Sequence, residues 1–102
     1  MNHDVFAAIA DSNRRKIIEL LAVSTMTVNT IAGHFSVSRP AISKHLKILL
    51  QAKLVAERKA GRQRFYHLQA GQLKVVYDWL AHYEKFWKNK LNNLGEYLEG
   101  SE

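Results

Sequence analysis

Apolar residues recur at helical spacing through most of the chain and switch to alternation only once. On a helix of about 3.6 residues per turn, Ile42, Leu46, Leu49 and Leu50 share one face, while Pro40, Ser43, Lys44, Lys47 and Gln51 fall on the other. One face is built to pack. The outer one carries short hydroxyls and long cations with no acid. Upstream, Val28, Ile31, Ala32 and Phe35 keep helical spacing behind Thr27, a competent N-cap. Ser36, Val37 and Ser38 then read as a three-residue turn, with Val37 plugging the angle between the two helices. Pro40 belongs in a first helical turn, where its missing N–H is no loss, and either Ser38 or Arg39 caps that helix. The stretch 27–52 is therefore a helix-turn-helix.

The same reading gives the flanking elements. His3 to Ala10 predicts a short first helix burying Val5, Phe6 and Ile9. A second helix, capped by Asp11 or Ser12, has Ile17, Ile18, Leu20, Leu21 and Val23 as its apolar set. Arg14, Arg15 and Lys16 crowd its first turn, where the helix dipole disfavours cations. That penalty predicts an anionic neighbour, a phosphate or a carboxylate such as Asp11. Alternation appears at Leu54–Arg58 and again at Gln63–Leu68, around an Ala60-Gly61-Arg62 turn, which predicts a two-stranded hairpin over 54–68. From 72 to 98 the chain has no proline and reads as one long helix. Leu73, Tyr77, Leu80, Glu84, Trp87, Leu91, Leu94 and Leu98 advance in alternating steps of four and three, a coiled-coil seam with one polar member. A body this small cannot cover that face. The expectation is a homodimer built on the last helix together with the first, with Phe6, Leu73, Tyr77, Leu80, Trp87, Leu91 and Leu94 at the interface.

Charge sharpens the picture. The net charge is +6, and from Ser36 to Arg64 eight cations face one acid, Glu57, a local +7. The rest of the chain is close to neutral. A basic block of this kind is the footprint of a polyanion. The hairpin tip carries Arg58, Lys59, Arg62, Gln63 and Arg64, suited to phosphates or the minor groove, and the outer face of the preceding helix suits the major groove. The chain has 102 residues and no cysteine, which excludes disulfides and thiolate metal sites and fits a reducing, cytoplasmic setting. No run of about 18 apolar residues is present to span a membrane. No nucleophile–base pair, phosphate loop or paired carboxylate points to an enzyme.

The stretches FAAIADSNRRKIIELL, IAGHFSVSRPAISKHLKIL and ERKAGRQRFYHL, in that order, resemble the ArsR-type family of bacterial winged-helix repressors nearly end to end. The resemblance implies a mainly α (α+β) fold over 1–102: a winged helix-turn-helix with a two-stranded wing and a long C-terminal dimerisation helix. It also implies a dimeric repressor of double-stranded DNA that binds a promoter inverted repeat and leaves it when an effector arrives. By position, the family's base contacts fall on Arg39, Pro40, Ser43 and Lys44, and its wing contacts on Lys59, Arg62 and Arg64; Lys47 adds a phosphate contact. Where metal-sensing members carry ligands, this chain has Thr27 and Asn29, and Ala70, Gln72, Tyr83 and Phe86. The expectation is no metal and no cofactor, with the effector unnamed by the sequence. Three other readings stay open: a metal-responsive repressor using Asp78 and His82, one helical turn apart; a non-specific architectural binder; and a protein-interaction module using its aromatic last helix. His45 sits beside the recognition face, within reach of a phosphate.

Overall fold

A computed structural model describes residues 4–88 of the chain. Side-chain caps set the helix starts. Asp4 accepts the Phe6 N–H at the head of α1 (Val5–Ala8), and Asp11 accepts the Arg14 N–H at the head of α2 (Ser12–Val23). Thr27 accepts from Thr30 at α3 (Val28–Ala32), and Ser38 accepts from Ala41 at α4 (Arg39–Gln51). In each case a short oxygen-bearing side chain satisfies a backbone N–H that has no partner inside its helix. Pro40 lies in the first turn of α4, so it interrupts no helical hydrogen bond.

The strands β1 (Met26–Thr27), β2 (Val55–Ala60) and β3 (Gln63–Leu68) form an antiparallel sheet in the order β1-β3-β2. Pairing runs from Val55 opposite Leu68 to Ala60 opposite Gln63. The hairpin therefore turns on Gly61 and Arg62 alone, with Ala60 inside the strand, and Gly61 supplies the positive φ of 63° that so tight a turn needs. β1, only two residues long, pairs Met26 with Tyr66 and Thr27 with Phe65. It was absent from the sequence expectation, since two residues show no alternation.

One core serves all these elements: Val5 and Ala8 from α1, Ile17 and Leu21 from α2, Ile31 from α3, Ile42, Leu46 and Leu49 from α4, then Ala52, Leu54 and Val55. Four sequence expectations change here. Val23 faces solvent at the end of α2. The turn between α3 and α4 spans 33–38, because α3 stops at Ala32 and the next N–H groups of His34 and Phe35 bond back three residues. Val37 is 38% exposed and does not plug the angle; Phe35 packs against the core instead. Arg14, Arg15 and Lys16 direct their side-chain hydrogen bonds to carbonyls, and the expected carboxylate enters only through the attraction of the Arg14 charge for Asp11. Arg14 donates to Ala8 and Ala7, Arg15 to Ile9, and Lys16 to His34 while lying 4.6 Å from the Phe35 ring centre. Those carbonyls end α1 and the α3 turn; Ala7 also accepts the Ala10 N–H. The cations at the start of one helix thus close the ends of two others.

After a single 3₁₀ turn (Ala70–Gln72), α5 (Leu73–Ala81) rests Leu73 and Val76 on the core and Trp79 edge-on against Phe6 of α1, ring centres 5.4 Å apart. The helix expected to run unbroken over 72–98 turns at 82–83 and resumes at 84–88. At the turn the N–H groups of His82 and Tyr83 bond back to Trp79 and Leu80, and the His82 ring bonds the Asp78 carbonyl. This tightening to three-residue spacing breaks the α-helical ladder. Residues 89–98, with Leu91, Leu94 and Leu98, lie outside the described residues. No helix among the described residues is long and apolar enough to cross a membrane.

α4 ends in a Schellman motif: Lys53 N–H reaches Leu50, Leu54 N–H reaches Leu49, and Lys53 adopts a left-handed φ of 60°. Lys53→Gly should relieve that conformation and stabilise the domain by up to about 1 kcal/mol, read as a higher denaturation midpoint. Asp11 is held below the usual carboxylate range, chiefly by the Arg14 N–H it accepts; desolvation opposes this, and attraction to His45, when that ring is protonated, and to Arg14 adds to it. A carboxyl lowered on folding stabilises above its unfolded pKa and loses that stability as pH falls through the folded one. Asp11→Ala should cost about 1 kcal/mol at neutral pH. The gap between wild type and variant should close below about pH 4.

Candidate nucleic-acid interface

The buried face of α4 fixes where its other face points. With Ile42, Leu46 and Leu49 locked in the core, Arg39, Pro40, Ser43, Lys44 and Lys47 are all exposed, as the helical period requires. Pro40, Ala41, Ser43, Lys44 and Lys47 together line a shallow surface depression. Its floor is mostly apolar and its edge cationic, a combination that suits base edges and methyl groups between phosphates.

The wing stands beside the start of this helix. Lys59 faces Arg64 directly across the hairpin, and Glu57 faces Tyr66 two residues further along on the same side. Like charges opposed across a strand pair repel. Glu57 offsets one of them, its carboxylate 3.5 Å from the Arg64 guanidinium. On the other side of the hairpin Arg58 lies over the Phe65 ring, 5.9 Å from its centre.

Arg39 and Ser43 from α4, Arg62, Gln63, Arg64 and Tyr66 from the wing, and Thr27, Val28 and Asn29 from the start of α3 surround a polar groove of about 350 Å³. The structure thus brings Arg39, Ser43, Arg62 and Arg64 together and leaves Lys44 and Lys47 further along the open helix face. Gln63 was expected on the basic hairpin tip, whereas Tyr66 was not expected at this surface, and Thr27 and Asn29 entered the sequence reading only as a cap and as replacements for metal ligands. The signal for Tyr66 lay in the hairpin register, which sets it on the same side as Arg64. Burial, then the neighbouring Glu57, pushes the Tyr66 hydroxyl above its ordinary pKa. The ring therefore carries a proton to donate and no charge to repel an anion.

His45 is not on this surface. Its side chain is 19% exposed and lies against the head of α2, with Nδ1 3.2 Å from an Arg14 guanidinium nitrogen. The expected phosphate contact from this residue is withdrawn. Asp78 and His82 do share one side of α5, but Lys74 holds the Asp78 carboxylate at 3.0 Å and the His82 ring is turned to the helix carbonyls. Of the residues expected at the dimer interface, Phe6 and Leu73 lie partly against the protomer's own core. Tyr77, Leu80 and Trp87 line a largely apolar depression of about 440 Å³ with Ala81, Glu84 and Lys88, and Tyr77 is 70% exposed. The turn at 82–83 leaves this seam facing one way.

A recognition helix with an acid-free outer face, flanked by a basic hairpin, defines a winged helix-turn-helix DNA-binding protein. Comparison with known proteins gives the family. The model of the family described as "Bacterial regulatory protein, arsR family" matches residues 11–57. The chain is 40% identical to the transcriptional repressor SdpR of Bacillus subtilis over 79% of its own length and 90% of that protein. It is 38% identical to the HTH-type transcriptional regulator Rv2034 of Mycobacterium tuberculosis, over 90% and 83% respectively. The structure of an ArsR-like transcriptional regulator from Rhodococcus sp. RHA1 superposes with a TM-score of 0.74 at 31% identity, covering 96% of this chain and 90% of that one. The chain belongs to the arsR family and is a DNA-binding transcriptional repressor.

The groove and the open helix face should separate in their response to salt. Arg62→Ala should weaken all duplexes about equally and lower the slope of log affinity against log salt by roughly 1. Arg39→Ala should instead cost about 1–3 kcal/mol on a preferred sequence and relax the preference. Equal losses on preferred and scrambled duplexes in fluorescence anisotropy would merge the two roles.

Proposed function

We propose that the protein represses as a homodimer on an inverted repeat in promoter DNA, in the cytoplasm, by binding and not by catalysis. The observation that carries this is the placement of two surfaces on one protomer. α4 with its wing offers an acid-poor basic face to DNA, and Tyr77 and Leu80 of α5, with Trp87 of the following turn of helix, form a separate exposed or half-buried apolar patch. A two-fold pair would set its recognition helices in successive major grooves about 34 Å apart. Arg39 at the helix mouth would read guanine, Ser43 and Lys44 would read neighbouring edges, and Pro40 would lie against a thymine methyl. Lys47, Lys59, Arg62 and Arg64 would hold phosphates, which fix position and carry no sequence information. The opposed pair Lys59 and Arg64 is relieved when a phosphate arrives between them.

Metal-independent repression has support of the same kind. Lys74 occupies the carboxylate of Asp78, and the His82 ring is turned to the helix carbonyls of Asp78 and Trp79. Structural and catalytic zinc sites draw at least three protein ligands.

The test is a titration of chelator-treated protein on DNA from its own promoter against scrambled competitor, with and without zinc, run beside sedimentation. Preference of at least about a thousandfold, unchanged by zinc, is expected. Tyr77→Asp with Leu80→Asp should yield a monomer at micromolar concentration that has lost most affinity for the repeat. Release by zinc would return Asp78 and His82 as ligands, and indifference between promoter and scrambled DNA would make this an architectural binder.

A further inference from the structure

Burial of Ile42, Leu46 and Leu49 in the core sets which face of α4 points outward. That packing is not directional in the way a hydrogen bond is, so it leaves a small play in the rotation of the helix about its own axis. Side-chain tips lie about 6 Å from that axis, so a turn of about 15° moves them about 1.5 Å. Hydrogen bonds to base edges do not survive such a shift. A directional contact on the helix flank can fix the angle within the play that packing leaves.

Among the described residues, one α4 side chain hydrogen-bonds to another element, and it is His45. Its partner is well anchored. The Arg14 guanidinium donates to the Ala8 carbonyl at 2.6 Å and the Ala7 carbonyl at 3.3 Å, at the end of α1, and turns its remaining nitrogen to His45 Nδ1 at 3.2 Å. Arginine has no acceptor and cannot lose its proton, so in this contact Nδ1 must accept. That requires the neutral ring with its proton on Nε2. Asp11 Oδ2 lies 3.8 Å from the same Nδ1, too far for a hydrogen bond but near enough to attract a charged ring. Asp11 and Arg14, both at the head of α2, are the charged groups facing His45; α1 presents only backbone carbonyls there, with Asp4 capping its opposite end.

We propose that His45 is a positioning residue for DNA recognition: accepting from Arg14, it sets the rotation of the recognition helix, and protonation of its ring releases that setting. A protonated Nδ1 can no longer accept from Arg14. The ring is then repelled by the guanidinium and drawn toward Asp11, and α4 turns with it. The inference rests on the DNA-binding reading above and adds a control to it that touches neither base nor phosphate. α1 joins the arrangement to the dimerisation helix, because Phe6 packs on Trp79. Arg14 therefore sits between the surface expected to bind a second protomer and the helix that reads sequence.

The experiment measures the ratio of affinities for two duplexes, one selected from a random library by the full-length protein and one scrambled, from about pH 5.5 to about pH 8. For wild type, that ratio should fall by about tenfold toward acid, the loss expected of one hydrogen bond to a charged group. His45→Asn puts an amide oxygen close to the place of Nδ1 and cannot titrate, so it should keep the neutral-pH ratio and flatten the profile. His45→Leu should lose about tenfold in the ratio at every pH while affinity for the scrambled duplex stays unchanged. A structural role alone would not move the pH profile or be rescued by asparagine. Superimposable profiles for wild type and His45→Asn overturn the proposal, whether or not His45→Leu folds. A folded His45→Leu with full discrimination overturns it too. Absence of any discrimination by wild type at any pH would overturn the sequence-specific reading beneath it, and that failure shows in wild type alone.

Discussion

Burial of Ile42, Leu46 and Leu49 against α2, α3 and the first strand of the hairpin is the constraint from which the DNA-facing surface follows. Each such side chain contributes about 1.5–3 kcal/mol by leaving water. Because the helix has a fixed period, locking these three turns Arg39, Ser43, Lys44 and Lys47 outward together. The functional face needs no stabilising contacts of its own and makes few. It can therefore hold cations that would cost stability in any packed environment, and its side chains remain free to meet a ligand. The Schellman turn at Lys53 then redirects the chain so that Leu54 and Val55 return to the same core and the wing rises beside the helix it assists.

How much of this was legible before the structure depended on the range of the interaction. Helix starts were, to within a residue, because a cap is a contact over two or three residues: Thr27 was the expected cap, and the structure selects Asp11 over Ser12 and Ser38 over Arg39. The sidedness of α4 was legible for the same reason. What failed was decided by partners distant in sequence. β1 exists only because β3 offers it an edge. Val37 is exposed because Phe35 takes the place beside the core. The recognition groove collects Thr27, Asn29, Arg39 and Tyr66 from segments nearly 40 residues apart, and only the hairpin register brings them together. The break at 82–83 escaped notice because nothing in the local composition forbids a helix there.

The run Arg14-Arg15-Lys16 shows how a sound inference can name only part of its object. Cations at a helix N-terminus oppose the local dipole, so the sequence does predict compensation. Part of that compensation is the negative charge of Asp11, which the Arg14 charge attracts. The structure also uses the partial negative charge of carbonyls that end two other helices, which no composition count can display. The dipoles are thereby placed head to tail, and the unfavourable end of one element becomes the cap of another. A short helix such as α1, four residues long, gains most from this. It has too few internal hydrogen bonds to hold its shape alone.

That same economy makes Arg14 more than a cap. A side chain with several donors in a rigid fork can bind two carbonyls and still aim a nitrogen at a third group, and lysine could not hold the same three directions. The end of α1, the head of α2 and the flank of α4 are therefore fixed relative to one another through one planar group. α1 in turn leans on α5 through Phe6 and Trp79. In a two-fold dimer built on α5, a change in how the protomers meet would reach α4 through Phe6, which packs against the edge of the core, and then through the hydrogen bonds of Arg14. Such a dimer would couple sequence recognition to assembly through one ring contact and the hydrogen bonds of Arg14. A change in one hydrogen bond there can alter the aim of the recognition helix while the fold stays intact.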